Sequence, residues 1–134
     1  MKFMMLVKHS ENSGMPPKEL MEAIGKLSED AVKAGTMIGG GGLAPTAQST
    51  RVRISGGQIQ VIDGPFTESK EVIGGYAQFE LPSKEEAVKG AIQFMELHRK
   101  HWPGWEGETE IRQMFAAEDC EEQMKQQMST SQAG

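Results

Sequence analysis

At 134 residues and 14.7 kDa the chain is the size of one domain with one core. Its 19 acidic against 14 basic side chains give a formal net charge of -5, which opposes the counterion release that drives nucleic-acid binding, so no nucleic-acid partner is expected. The lone Cys120 closes no intrachain disulfide, and the apolar run from Phe3 to Val7 is far too short for a bilayer and is followed by Lys8 rather than a cleavage site; the expected setting is the cytoplasm, with no membrane partner.

Residues 2–9 read as a strand that is apolar on both faces, with Phe3, Met5 and Val7 pointing one way and Met4 and Leu6 the other. Pro16 and Pro17 suit the first turn of a helix that runs to about Ala34, with Leu20, Ile24, Leu27 and Ala31 on one stripe and Gly35 as its stop. Met37 and Ile38 begin a short strand, and Gly39 to Gly42 then leave a bare backbone. That glycine run is no P-loop, because it lacks the Gly-Lys-Ser/Thr ending and follows a helix instead of opening one. Residues 51–54 alternate Arg51 and Arg53 against Val52 and Ile54; Gly56 and Gly57 turn the chain, and 58–62 returns with Ile59 and Val61 inward as a hairpin.

The stretch 63–76, DGPFTESKEVIGGY, holds the densest polar chemistry of the chain. Asp63, Gly64 and Pro65 are sufficient for a turn. The surplus of Phe66, Glu68, Lys70, Glu71 and Tyr76 around them makes this connection the place to look for function. Residues 76–81 alternate as a half-buried strand, Ser83 with Glu86 caps a second helix running to about Arg99, whose inner stripe is Val88, Ala91 and Met95, and 109–115 gives a last strand. One domain over 1–115 and a polar tail over 116–134 follow. The element order is that of a split β-α-β sandwich of the α+β class, with both helices on one face of an antiparallel sheet. Met4, Leu6 and Met114 then lie on a face that one chain leaves uncovered, and a second copy is the expected cover, giving a homodimer.

Asp63 is the candidate catalytic acid or base: a strand-end carboxylate beside Pro65 and Phe66 is expected to be partly desolvated, as a proton carrier needs. The competing reading is a turn-former that only accepts local hydrogen bonds. Lys70 and Glu71, with Glu68, are candidates for anchoring and orienting a polar small molecule, or for pairing with one another. Phe66 and Tyr76 flank them as aromatic contacts, and Arg112, with Arg51 and Arg53, is a candidate anion contact on the strands. His98 and His101, three apart at a helix end, are read as neutralising the helix C-terminus rather than holding a metal. No metal and no cofactor are expected.

The signature DGPFTESKEVIGGY, together with KFMMLVK, GGLAPT, RVRISGG and EIRQMFAAED in the same order, resembles the DGPF branch of the YCII-related family over roughly residues 2–119. The resemblance implies a ferredoxin-like fold that pairs sheet to sheet as a dimeric α/β barrel. It implies no single reaction, because that superfamily includes isomerases, cofactor-free monooxygenases, haem enzymes and regulators without activity. Some YCII-related proteins resemble His-Asp dyad enzymes with a His on the first helix, and this chain has none there. Gly41 and Ala44 stand where DGPF relatives often carry Glu and His. The functional expectation is a cytoplasmic homodimer that binds a small molecule in a pocket between sheet and helices lined by this segment, with weak acid-base chemistry through Asp63. The alternative is a non-catalytic ligand-responsive or protein-interaction module, with the WPGW patch and the tail as contact surface.

Overall fold

The computed structural model describes residues 1–66, 71–116, 124–126 and 128. In chain order the elements are β1 (Lys2–His9), α1 (Lys18–Lys33), β2 (Met37–Gly42), β3 (Thr50–Ser55), β4 (Gln58–Asp63), β5 (Val72–Glu80), α2 (Lys84–His101) and β6 (Gly107–Met114). The main sheet has the order β2-β5-β1-β6 with every neighbouring pair antiparallel, while β3 and β4 form a two-stranded sheet of their own. With the hairpin set aside, β1-α1-β2-β5-α2-β6 in this order is the ferredoxin-like arrangement, and the helices pack on the sheet and on each other.

The alternation of β1 decides which face the helices cover. Phe3 and Met5 are buried against Ala87 and Ala91 of α2, with Phe79, Leu81 and Ile111 around them. Their cross-strand partners Phe79 and Ala77 on β5 and Ile111 on β6 share that face, since directly opposed residues project to the same side. Met4 and Leu6 project to the other side with Gln78 and Tyr76 of β5 and Arg112 and Glu110 of β6. Helix α1 buries Leu20 and turns Ile24, Leu27 and Ala31 inward, as its stripe requires. It ends on Gly35, whose φ of 78° lets the Thr36 N–H bond back to Ala31 O at 3.0 Å. Helix α2 opens on Ser83, whose hydroxyl oxygen accepts from the Glu86 N–H at 3.2 Å.

Four expectations are corrected. The glycine run is not bare loop: Gly39 to Gly42 continue β2, in ladder with Gln78, Ala77, Tyr76 and Gly75. Strand β5 starts at Val72, so the second half of the signature stretch lies inside the main sheet. The hairpin strands pack on each other and only marginally on anything else, so Ile59 and Val61 are not inward but 70% and 68% exposed. Val88, expected on the inner stripe of α2, is likewise displaced outward, because Ala87, Ala91 and His98 take that stripe.

Why β2 is built from glycine is local. A side chain at Gly40 would bring its Cβ to 2.6 Å from Tyr76 O and 2.9 Å from Ala77 Cα, both backbone atoms of the paired strand, whereas Gly39 and Gly41 have open space. Strand pairing and a Cβ are therefore incompatible at position 40 only. Gly40→Ala is expected to destabilise by about 1–3 kcal/mol, the usual range for forcing atoms into a filled site. Gly39→Ala is expected to be neutral or slightly stabilising. Urea titrations of the two variants beside the parent check the contrast.

Candidate functional site

Asp63 closes β4 at the base of the hairpin, opposite Thr50. It is exposed, and the Thr50 hydroxyl donates to Asp63 Oδ1 at 2.8 Å. Burial by Pro65 and Phe66 does not remove it from water within the chain. Its surroundings are those of a clasp: Gly64 N–H donates to Ser49 O at 2.9 Å, and a Cβ at Gly64 would meet Ala47 O at 2.5 Å. The Gly64-Pro65 peptide is cis. Phe66 is half-buried under the Arg51 guanidinium, which lies 3.7 Å from the ring centroid in a cation-π contact. The hairpin base is tied to the chain's first loop by Thr46, whose hydroxyl donates to Glu11 Oε1.

The other expected site residues lie elsewhere. Glu68 and Lys70 fall outside the described residues. Glu71 is exposed just before β5, with its Oε1 3.6 Å from Lys8 Nζ. Tyr76 stands opposite Leu6, and Arg112 opposite Met4, so both flank β1 on the face away from the helices. The structure thus divides the candidates into a hairpin-base group of Asp63, Phe66 and Arg51, and an open-face group of Tyr76, Arg112 and Glu71.

Two members of the open-face group were not read from the sequence. Lys8 follows Met4 and Leu6 in the alternation of β1 and reaches Glu110 Oε2 at 3.0 Å. The hydrogen bond that Lys8 donates to Glu110 raises the Lys8 pKa above its ordinary value, against an opposing desolvation, and the charges of Glu110, Glu71 and Glu108 add to the rise. The missed signal was parity: Lys8 and Glu110 fall on the same side as Leu6 once β1 and β6 are paired in register. The result is a charged end to a surface on which Met4 and Leu6 lie among Gln78, Tyr76 and Arg112.

Gly74 is the extra residue where the β1-β5 register shifts between Val7 and Lys8. A Cβ there would lie 2.1 Å from His9 Nε2, so the imidazole rests directly on the glycine backbone. Around the same end of the sheet gather His98, Trp102 and Trp105. His98 is buried at 6% exposure, its Nδ1 donates to Phe94 O at 2.9 Å, and its ring lies 4.4 Å from Trp105 and 4.6 Å from Phe94 between centroids. Trp105 in turn stacks on Trp102 at 5.9 Å and covers Gly107, where a Cβ would strike the indole at 2.2 Å. These contacts turn Trp105 toward His98 and Gly107, a packing role for part of the WPGW stretch.

That geometry corrects the reading of His98 as a charge at the helix end. Burial lowers its pKa, the Phe94 carbonyl partly offsets this, and His9 lowers it further. Among the described residues no three His, Cys, Asp or Glu side chains converge as metal ligands. A groove of about 550 Å³ opens between α2 and β6, lined by Val88, Ile92, Met95 and Ile111 among others and by no described residue of the signature stretch. This groove lies at the β6 edge, and Asp63 does not line it.

The family model of the YCII-related domain matches residues 1–93. The chain belongs to the YCII-related family. A comparison with curated proteins finds no match.

The depressed His98 pKa has a definite sign in stability. The unfolded chain binds a proton near pH 6.5 and the folded chain only lower, so unfolding takes up a proton in the window just below 6.5 and stability falls as pH falls through it. The denaturation midpoint of the parent is expected to drop between pH 7.5 and pH 5.5. His98→Phe, which has no proton to gain, is expected to show a shallower drop over the same interval.

Proposed function

We propose that this YCII-related chain works as a cytoplasmic homodimer that encloses a small polar or anionic molecule against the open face of its main sheet. The observation that carries the reading is that face itself. Met4 and Leu6, both half-buried, lie beside Tyr76 and Arg112 on it, the Lys8-Glu110-Glu71 cluster closes one end, and neither α1 nor α2 covers it. Apolar surface with a few convergent polar groups is the usual composition of a ligand site. In a single chain the buried apolar set among the described residues is Phe3, Met5, Leu20, Ala87 and Ala91, a small core for a domain of this length. A second copy laid on the open face supplies the missing burial and turns an exposed surface into an enclosed one.

Arg112 and Lys8 supply positive charge for an anionic group, Glu110 and Glu71 orient the ammonium, and Tyr76 offers a phenol. The non-catalytic reading is favoured for Asp63, because the Thr50 hydroxyl and the exposure of the carboxylate describe a fastener of the hairpin base. Acid-base chemistry through Asp63 stands as the second reading, and it requires that the partner subunit desolvate the hairpin base. Asp63→Asn separates the two, since Asn keeps the acceptor for Thr50 and loses the charge and the proton. Stability is expected to change by less than about 1 kcal/mol. Retained ligand shifts across a metabolite panel support the fastener; loss of turnover or of those shifts at unchanged stability supports the acid-base role.

The dimer is tested by sedimentation. The parent is expected to be dimeric at micromolar concentration, and Leu6→Glu, which puts a charge at the centre of the face, is expected to be monomeric with its far-UV spectrum preserved. In the dimeric parent, Arg112→Ala is expected to weaken anionic-ligand binding by about tenfold or more, the cost of removing a charged hydrogen-bond donor. A monomeric parent would sink the reading.

A further inference from the structure

The β3-β4 hairpin has an apolar face that no described residue of its own chain covers. Val52 is paired with Val61 and Ile54 with Ile59, so the four branched side chains project from one face, and each is between 68% and 73% exposed. Together they present on the order of 300 Å² of contiguous apolar surface, a scale at which a soluble monomer seldom leaves a patch bare. A two-stranded ribbon without cover is marginal in water. The opposite face carries Arg51 and Arg53, and the arm from residue 50 to 62 has no acidic side chain in a chain whose net charge is -5.

A matching surface exists at the other edge of the molecule. The groove between α2 and β6 is apolar along Val88, Ile92, Met95 and Ile111, and its polar lining is Glu108 with the ion pair of Glu96 and Arg99. Ile92 is 56% exposed there. The arm does not reach this groove in its own chain: it leaves the sheet at the β2 edge, and β6 is the opposite edge, three strand spacings or about 14 Å across. It leaves at the same end of the sheet where β6 begins, because Gly42 is paired with Gly75 and Gly107 with His9.

We propose that the hairpin is a dimerisation arm whose Val52-Ile54-Ile59-Val61 face seats in the α2-β6 groove of a second copy of this chain. The inference rests on the homodimer proposed above and specifies its geometry. Two sheets stacked open face to open face about a twofold axis parallel to the strands set the β2 edge of each over the β6 edge of the other, with like ends together. Each arm then lies beside the partner's groove, its arginines set against Glu108 and a body of net negative charge. A twofold axis across the strands would instead set β2 on β2 and leave both arms and grooves empty. Two arms in two grooves bring the buried surface toward the roughly 800 Å² per partner that a stable dimer needs, which the open faces alone do not require.

The test uses the full chain. Ile54→Thr with Ile59→Thr keeps the β preference of the ribbon and removes its apolar face. Sedimentation equilibrium is expected to show the dimer dissociation constant raised at least about tenfold, and Ile92→Thr in the groove is expected to act in the same direction. A second measurement fixes the placement: a chain carrying Ile54→Cys is mixed with a tagged chain carrying Ile92→Cys, both in a Cys120→Ser background, and oxidised. A disulfide between the two different chains supports the arm. If the parent is a dimer, yet neither the threonine variants weaken it nor the mixed disulfide forms, the arm is refuted while the sheet-face dimer stands. A disulfide formed only within one chain carrying both cysteines refutes it too, and a monomeric parent removes both proposals together.

Discussion

Every element of this chain takes its place from β1, a central strand that is apolar on both sides and paired on both edges. Phe3 and Met5 demand a cover on one side, and the two helices provide it through Ala87 and Ala91, whose small side chains allow α2 to lie close. Met4 and Leu6 demand one on the other, which neither α1 nor α2 gives. Hydrophobic burial is roughly proportional to area, so a strand of this kind is fully stabilised only when both of its faces are dry. The candidate site, the expectation of a second subunit and the small core of the isolated chain all descend from that one imbalance.

The polar groups follow the same geometry. Lys8, Glu110, Arg112 and Tyr76 lie around Met4 and Leu6 because pairing in register leaves them no other side to occupy. Lys8 is held between Glu110 and Glu71, so one positive charge meets two negative ones at the end of the strip. At the same end of the sheet, the extra residue Gly74 gives the His9 ring room that a side chain there would take, and His98, Trp105 and Trp102 fill the corner beside it.

Much of this framework was legible in the residues, for physical reasons that can be named. The double-sided pattern of β1, the stripe of α1, the Gly35 stop and the Ser83 cap are local signals, each tied to hydrogen bonds or burial within a few residues. The strand character of Gly39 to Gly42 was not legible, since glycine has little preference for strands and only the approach of β5 at Gly40 explains it. Alternation in the hairpin correctly divided Val52 and Ile54 from Arg51 and Arg53, but alternation names faces and does not say what covers them. The burial of His98 was hidden for a similar reason: its position in the last turn suggested charge, and only the packing of Phe94 and Trp105 around it shows a ring withdrawn from water, which lowers its pKa. For Asp63 the turn chemistry was plain, whereas its exposure depended on the hairpin standing clear of the sheet.

Leu43 N–H donates to Gly74 O at 2.9 Å, and that bond joins the neighbouring ends of β2 and β5 before the chain ever reaches the hairpin. The framework is therefore closed at this point, and the described residues 44–66 form an excursion from it. An excursion anchored at a closed seam is free to change length and composition without disturbing the register of the sheet behind it. If the hairpin acts as the proposed arm, sequence drift in this segment leaves the common architecture intact while altering which copies recognise one another, so that a duplicated gene bearing a different excursion ceases to mix with its parent.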